Sequence, residues 1–234
     1  MKDHLDVADE EEFQARLDAQ WPSDWPSTPA TPPEGMDNIT GKLFHRLRQL
    51  SVFATEMAEH KVLPETQTRY TQSIQLLERQ VSASAWSLNL NNLRQYGSAT
   101  QPRASIAIRT CTRTWHSTTL IFLHMVLRKT PSNSMIVEKL VRRAKFSLQI
   151  LTPHELWIYF PPKFLLWVLV VSNLAAARHT DRGWLLQILK QLQRKLALDS
   201  WEAAKDILVE FAWVEHVCTR PASLLWKELD RIEL

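Results

Sequence analysis

The chain has 234 residues, ten tryptophans, only two cysteines and a formal charge of +3 at neutral pH. That length suits one large domain, or a domain with a tail, and it buries about 70% of the unfolded surface without needing staples. Cys111 and Cys218 are too few for a disulfide framework or a multi-cysteine zinc site, and with no signal sequence they point to a reducing intracellular compartment.

The four glycines, Gly35, Gly41, Gly97 and Gly183, are too scattered to cradle a phosphate. No dinucleotide fingerprint, P-loop or nucleophile elbow is present. The longest apolar run, residues 164–177, is too short to cross a bilayer and reads as a core helix. Charge is unevenly spread. Residues 1–25 hold eight acids (Asp3, Asp6, Asp9, Glu10, Glu11, Glu12, Asp18 and Asp24) against Lys2 and Arg16, a net −6 that leaves +9 on the rest. An acidic head on a basic body suits a regulatory or interaction protein.

In chain order, the head mixes its acids with Leu5, Val7, Phe13, Leu17, Trp21 and Trp25. That composition is shared by acidic activation segments and by a solvated tail with a short helix at about 9–20. The stretch WPSDWPSTPATPPEG then predicts an extended or disordered linker. Residues 1–36 are therefore expected to form a largely disordered acidic and proline-rich tail, and residues 37–234 an all-helical globular domain.

Leu43, Phe44, Leu47, Leu50 and Met57 recur at helical spacing after Asn38 and Thr40, either of which can cap. Pro64 opens a second predicted helix carrying Tyr70, Ile74, Leu77 and Val81. Trp86, Leu90, Leu93 and Tyr96 suggest a third, stopped near Gly97. A long helix is expected from about Arg103 to Arg128, ended by Pro131. Ser134 caps the next, to about Leu151, with Val137, Leu140, Val141, Ala144 and Leu148 on one face. Pro161 and Pro162 open the apolar helix to about Arg178, and another runs from Asp181 to about Ala197. No alternation argues for a sheet. The predicted fold class is all-α.

Residues 200–218, SWEAAKDILVEFAWVEHVC, pose the question of chemistry. Asp199 and Glu202 form a capping-box pattern. Trp201, Ala204, Ile207, Leu208 and Phe211 share one helical face, while Val209, Trp213 and Val217 line another, bordered by Glu202, Asp206 and Glu210. Such a helix is squeezed between neighbours, or lends its second face to a partner; large aromatics favour the core. Pro221 starts a last short helix to about Arg231.

Glu215, His216 and Cys218 invite a metal reading, but adjacent helical residues diverge by about 100° and a zinc site wants four ligands. Cys218 shows neither a base nor a cause for a lowered pKa. His116 and His124 lie eight apart on one face and read as packing or surface. Lys139, Arg142, Arg143 and Lys145 read as a solvated helix face that serves at most as a weak nuclear-import patch, since no nucleic-acid recognition module accompanies them.

Residues 166–226 carry an ordered series: Leu166-Trp167, Ala175-Ala176, Arg182 with Trp184, Leu198-x-Ser200-Trp201-Glu202, Ile207-Leu208, Phe211-x-Trp213, Cys218 and Leu225-Trp226. Upstream, IFLHMVLRKTP at 121–131 ends in Leu-Arg-x-x-Pro. Over about residues 100–230 this resembles the regulatory domain of fungal-specific transcription factors, proteins that usually begin with a zinc binuclear cluster. Ser172-Asn173 stands where the family often has two glycines, and the six-cysteine DNA-binding module is missing from this sequence.

The resemblance implies a nuclear transcriptional regulator or co-regulator, in a fungal metabolic or secondary-metabolite pathway. It would act through protein partners (zinc-cluster transcription factors or the transcription machinery), as a homo- or heterodimer, without sequence-specific DNA binding or membrane association of its own. The alternatives are an effector-binding helical module that senses a metabolite in an apolar cavity, and a truncated non-functional regulator. No acid–base or nucleophile constellation supports an enzyme. No residue is assigned a catalytic, cofactor-binding, metal-binding or DNA-binding role, and no cofactor is expected.

Overall fold

Helices α1 (Asn38–Glu59), α2 (Pro64–Gln95) and α3 (Arg103–Phe122) come first in the computed structural model, which describes residues 38–59, 64–95, 103–176 and 182–232. The acidic head, the proline-rich stretch and the helix expected at 9–20 lie outside those residues. A π-helical turn, Leu123–Leu127, extends α3. Then follow α4 (Met135–Gln149), α5 (Pro153–Tyr159), α6 (Pro162–Ala175), α7 (Arg182–Lys195), α8 (Trp201–Val209) and α9 (Glu215–Asp230). Every regular element among the described residues is helical, so the fold is all-α.

The core is built around α6. Its residues Phe164 to Asn173 are all buried, and it packs against α3, α4, α7, α8 and α9. A helix apolar on every side has to sit at the centre, because no orientation leaves a polar face for water. Aromatic rings continue outward from it. Phe160 stacks on Phe164 at 6.1 Å, Phe164 on Trp167 at 6.4 Å, and Trp167 on Phe211 at 6.5 Å. Phe44 of α1 meets Phe211 edge-on at 5.7 Å. The Trp167 Nε1–H donates to the Ala212 carbonyl at 2.9 Å, which satisfies a fully buried indole. The Ser172-Asn173 pair is internal too: Asn173 Nδ2 donates to the Leu169 carbonyl one turn back.

Local chemistry fixes most helix boundaries. Ser134 caps α4, accepting from the Val137 amide, and Pro162 stands at the first position of α6. The long α3 ends where its last turn widens: Arg128 N–H reaches back to the Leu123 carbonyl, Lys129 turns left-handed at φ 54°, and Pro131 follows. At the end of α7 the Leu198 and Ala197 amides bond back to the Gln193 and Arg194 carbonyls. That is a Schellman motif, with Ala197 at φ 50° where glycine is usual.

Five expectations shift. The second and third predicted helices are one helix, α2, because Ser82-Ala83-Ser84-Ala85 contains nothing that breaks a helix. Helix α1 already contains both Asn38 and Thr40, so neither residue flanks it as a cap. Helix α5 was not foreseen, although Thr152-Pro153-x-Glu155 is its signature: the Thr152 hydroxyl accepts from the Glu155 amide, and the Glu155 carboxylate accepts from the Thr152 amide at 2.8 Å. The cap of α8 is Ser200, which accepts from Ala203 N–H, rather than Asp199. Finally, α8 stops at Val209, and Pro221 lies inside α9 instead of starting a helix. An interior proline costs on the order of 3 kcal/mol. Burial of Cys218, Ala222, Leu225, Trp226 and Leu229 along one face of α9 offsets it.

Candidate functional site

The segment singled out for possible chemistry, residues 200–218, is two helix ends and the bend between them. Phe211 and Ala212 lie in the bend, Trp213 and the extended Val214 lead from it into α9, and all four are buried. Trp201 and Trp213 stand 6.2 Å apart, as do Trp201 and Trp226. Val209, expected to share a face with Trp213, is exposed, since the bend separates them. Glu202 and Asp206 face solvent, and Glu210 pairs with Lys163 at 2.9 Å.

Glu215, His216 and Cys218 do not converge. Glu215 and His216 are exposed, and Glu215 is held by Lys205 at 2.6 Å, whereas Cys218 is buried. Burial pushes the Cys218 thiol up to about 12, and that of Cys111 likewise to about 12. A thiol so raised is almost wholly protonated at neutral pH and is a poor nucleophile or metal ligand. Among the described residues no group of three or more His, Cys, Asp or Glu is placed to hold a metal ion.

The two histidines of α3 and its π turn are both buried but differ in their company. His116 Nε2 lies 3.0 Å from Ser84 Oγ on α2. Burial first, and then the charge of Arg143, pull its pKa from 6.5 to about 3, so it is a neutral imidazole. His124 Nε2 stands 3.2 Å from Glu78 Oε1, and Arg128 binds the other oxygen of the same carboxylate. The His124 pKa is lowered, burial outweighing the attraction of Glu78. Glu78, Arg128, Gln75, Arg79 and Ser82 line an open cleft of about 590 Å³. This is a polar cleft with converging ionisable groups, and the sequence reading did not foresee it. Its carboxylate is engaged by His124 on one oxygen and by Arg128 on the other. The arrangement clamps the middle of α2 to the π turn through this ion pair. Glu78 is 46 residues from His124, so no local pattern pointed to it.

The four basic residues all lie on α4. Lys139, Arg142 and Arg143 are exposed and Lys145 is half-buried. Sequence reasoning missed that Met135, Ile136, Phe146 and Ile150 are exposed beside them. The signal was available, since these four fall off the stripe formed by Val137, Leu140, Val141, Ala144 and Leu148.

Among the described residues the geometry defines an all-helical scaffold. No helix among the described residues is long and apolar enough to cross a membrane. The model of the fungal specific transcription factor domain matches residues 10–215, and the chain belongs to that family. The match reaches further toward the start than the resemblance over about 100–230 did, and it begins inside the expected tail. Neither the curated proteins nor the solved structures contain a match. Membership makes the chain a transcription-regulatory domain, from a family that is not a family of enzymes.

Proposed function

We propose that this chain regulates transcription in the nucleus through protein partners, without a DNA reader of its own. The carrying observation is the family match over residues 10–215, in a sequence whose two cysteines are too few for a two-zinc cluster. Both thiols also lie in the packed body, one half-buried and one buried. The partners that fit are zinc-cluster relatives, which would bring DNA recognition, and transcription machinery engaged by the acidic, aromatic head. A role in secondary metabolism follows from the resemblance alone. The tail, residues 1–36, supplies the recruiting segment, and residues 37–234 supply the partner-binding body.

The test is a fusion of the full chain, and separately of residues 1–36, to a heterologous DNA-binding domain upstream of a reporter. The full-chain fusion is expected to shift reporter output from the level of the DNA-binding domain alone, and residues 1–36 to raise it. Baseline output from both fusions would overturn the reading.

A further inference from the structure

Seven large apolar side chains are exposed among the described residues, and four of them sit on or at the end of α4. Met135 is 69% exposed, Ile136 45%, Phe146 68% and Ile150 37%. Lys139, Arg142 and Arg143 are exposed between them. Met135, Lys139, Arg142 and Phe146 follow i, i+4, i+7 and i+11 spacing, one line about 16 Å long on the helix surface. The opposite side of α4 is fully used, with Val137, Leu140, Val141, Ala144 and Leu148 buried where α4 packs on α3 and α6. The outer face is therefore not needed to hold the domain together. A contiguous patch of apolar residues set among cations marks a contact surface, and its complement is an acidic segment with large apolar side chains.

The same chain carries such a segment. Residues 1–25 bear a net −6 and include Phe13, Leu17 and Trp21 at i, i+4 and i+8. In a helix these three form one stripe, with Asp9 and Glu10 beside it. Reach is sufficient. The 17 peptide steps from Trp21 to Asn38 span at most about 60 Å. A body of about 200 residues, with a radius of gyration near 16 Å, is roughly 40 Å across. Tethering gives the head a local concentration on the order of millimolar at any surface it can reach, which favours its own chain over a second copy.

We propose that residues 9–25 dock on the outer face of α4 of the same chain. Phe13, Leu17 and Trp21 cover Met135 and Phe146, and the acids face Lys139 and Arg143. A docked head is not offered to a partner, so a second acidic, aromatic segment would compete with it for the same face. The contact itself does not rest on the transcriptional reading, because it is measured without a reporter.

The experiment places the photo-crosslinking residue p-benzoylphenylalanine at position 146 of the full 234-residue chain, irradiates it at high dilution and maps the products by mass spectrometry. The expected result is a crosslink to residues 1–25 within a monomer. It should be lost in the charge-reversal variant Lys139→Glu/Arg143→Glu and at about 1 M salt, where screening is nearly complete. Both substituted positions are exposed, so an unchanged thermal melt of the variant verifies its fold. The proposal is overturned if no product reaches residues 1–25 or if the reversal leaves the crosslink intact. It is equally overturned if crosslinks form only between chains and grow with concentration, which would give the face to a second copy.

Discussion

Trp213 is packed against Trp201, its indole N–H donates to Thr219 Oγ1 at 3.3 Å, and it is only 7% exposed. Deleting such a side chain removes both the transfer free energy of its ring and the contacts of whatever lined it, so Trp213→Ala is expected to cost about 3–5 kcal/mol. A denaturation midpoint displaced by that amount at unchanged m-value checks the prediction. A near-unchanged midpoint would place the indole on the surface. The residue type alone suggested burial, and the sequence placed Trp213 correctly in the core. It placed its neighbours less well: Val209 shares the expected line in the sequence yet faces water, because the chain bends between them.

That bend belongs to the element scale. Helix α8 closes with short-range bonds, Glu210 N–H to the Ile207 carbonyl and Phe211 N–H to the Leu208 carbonyl, and then the chain leads through the extended Val214 into α9. Nothing local demands it, since residues 209–213 contain no glycine or proline. The bend lets Phe211 join the rings around Trp167 while Trp213 turns to Trp201, and a straight helix could not deliver both. At the other end of α8, one residue decides the start. Ser200→Ala removes the oxygen that accepts from Ala203 N–H and is expected to cost about 1 kcal/mol, whereas Asp199→Ala should change stability by only a few tenths. Equal losses in thermal unfolding of the two variants would contradict this assignment. Where a helix start carries one strong local signal, as Ser134 does for α4, the sequence reading held. Where the sequence reading took Asp199 as the cap of α8, the backbone gives that place to Ser200.

For the whole molecule, buried His116 and His124 and half-buried His45 link stability to pH. His116 is neutral when folded because burial lowers its pKa to about 3, and His124 and His45 are lowered in the same direction, burial again first. The unfolded chain binds a proton at each near pH 6.5 and the folded chain takes one up only at lower pH, so stability is full above that pH and is lost as pH falls. For His116 alone the loss between pH 6.5 and 5 is about 2 kcal/mol. A series of thermal melts should therefore fall across that interval, with a shallower slope for His116→Gln. A flat profile would mean that His116 titrates normally and is not enclosed.

Read along the chain, proline positions, capping residues and 3.6-residue periodicity determined that the body is all-helical. Those same signals determined that the apolar run 164–177 is a core helix, because such signals act between residues a few positions apart. Only the tertiary structure decided that Glu78 meets His124 and Arg128 and that the helix after Trp201 breaks at Glu210. Each depends on which helices pack against which. Apolar residues report that a surface is costly in water, but not what covers it, so partners dozens of residues apart become visible only once the helices have closed on one another.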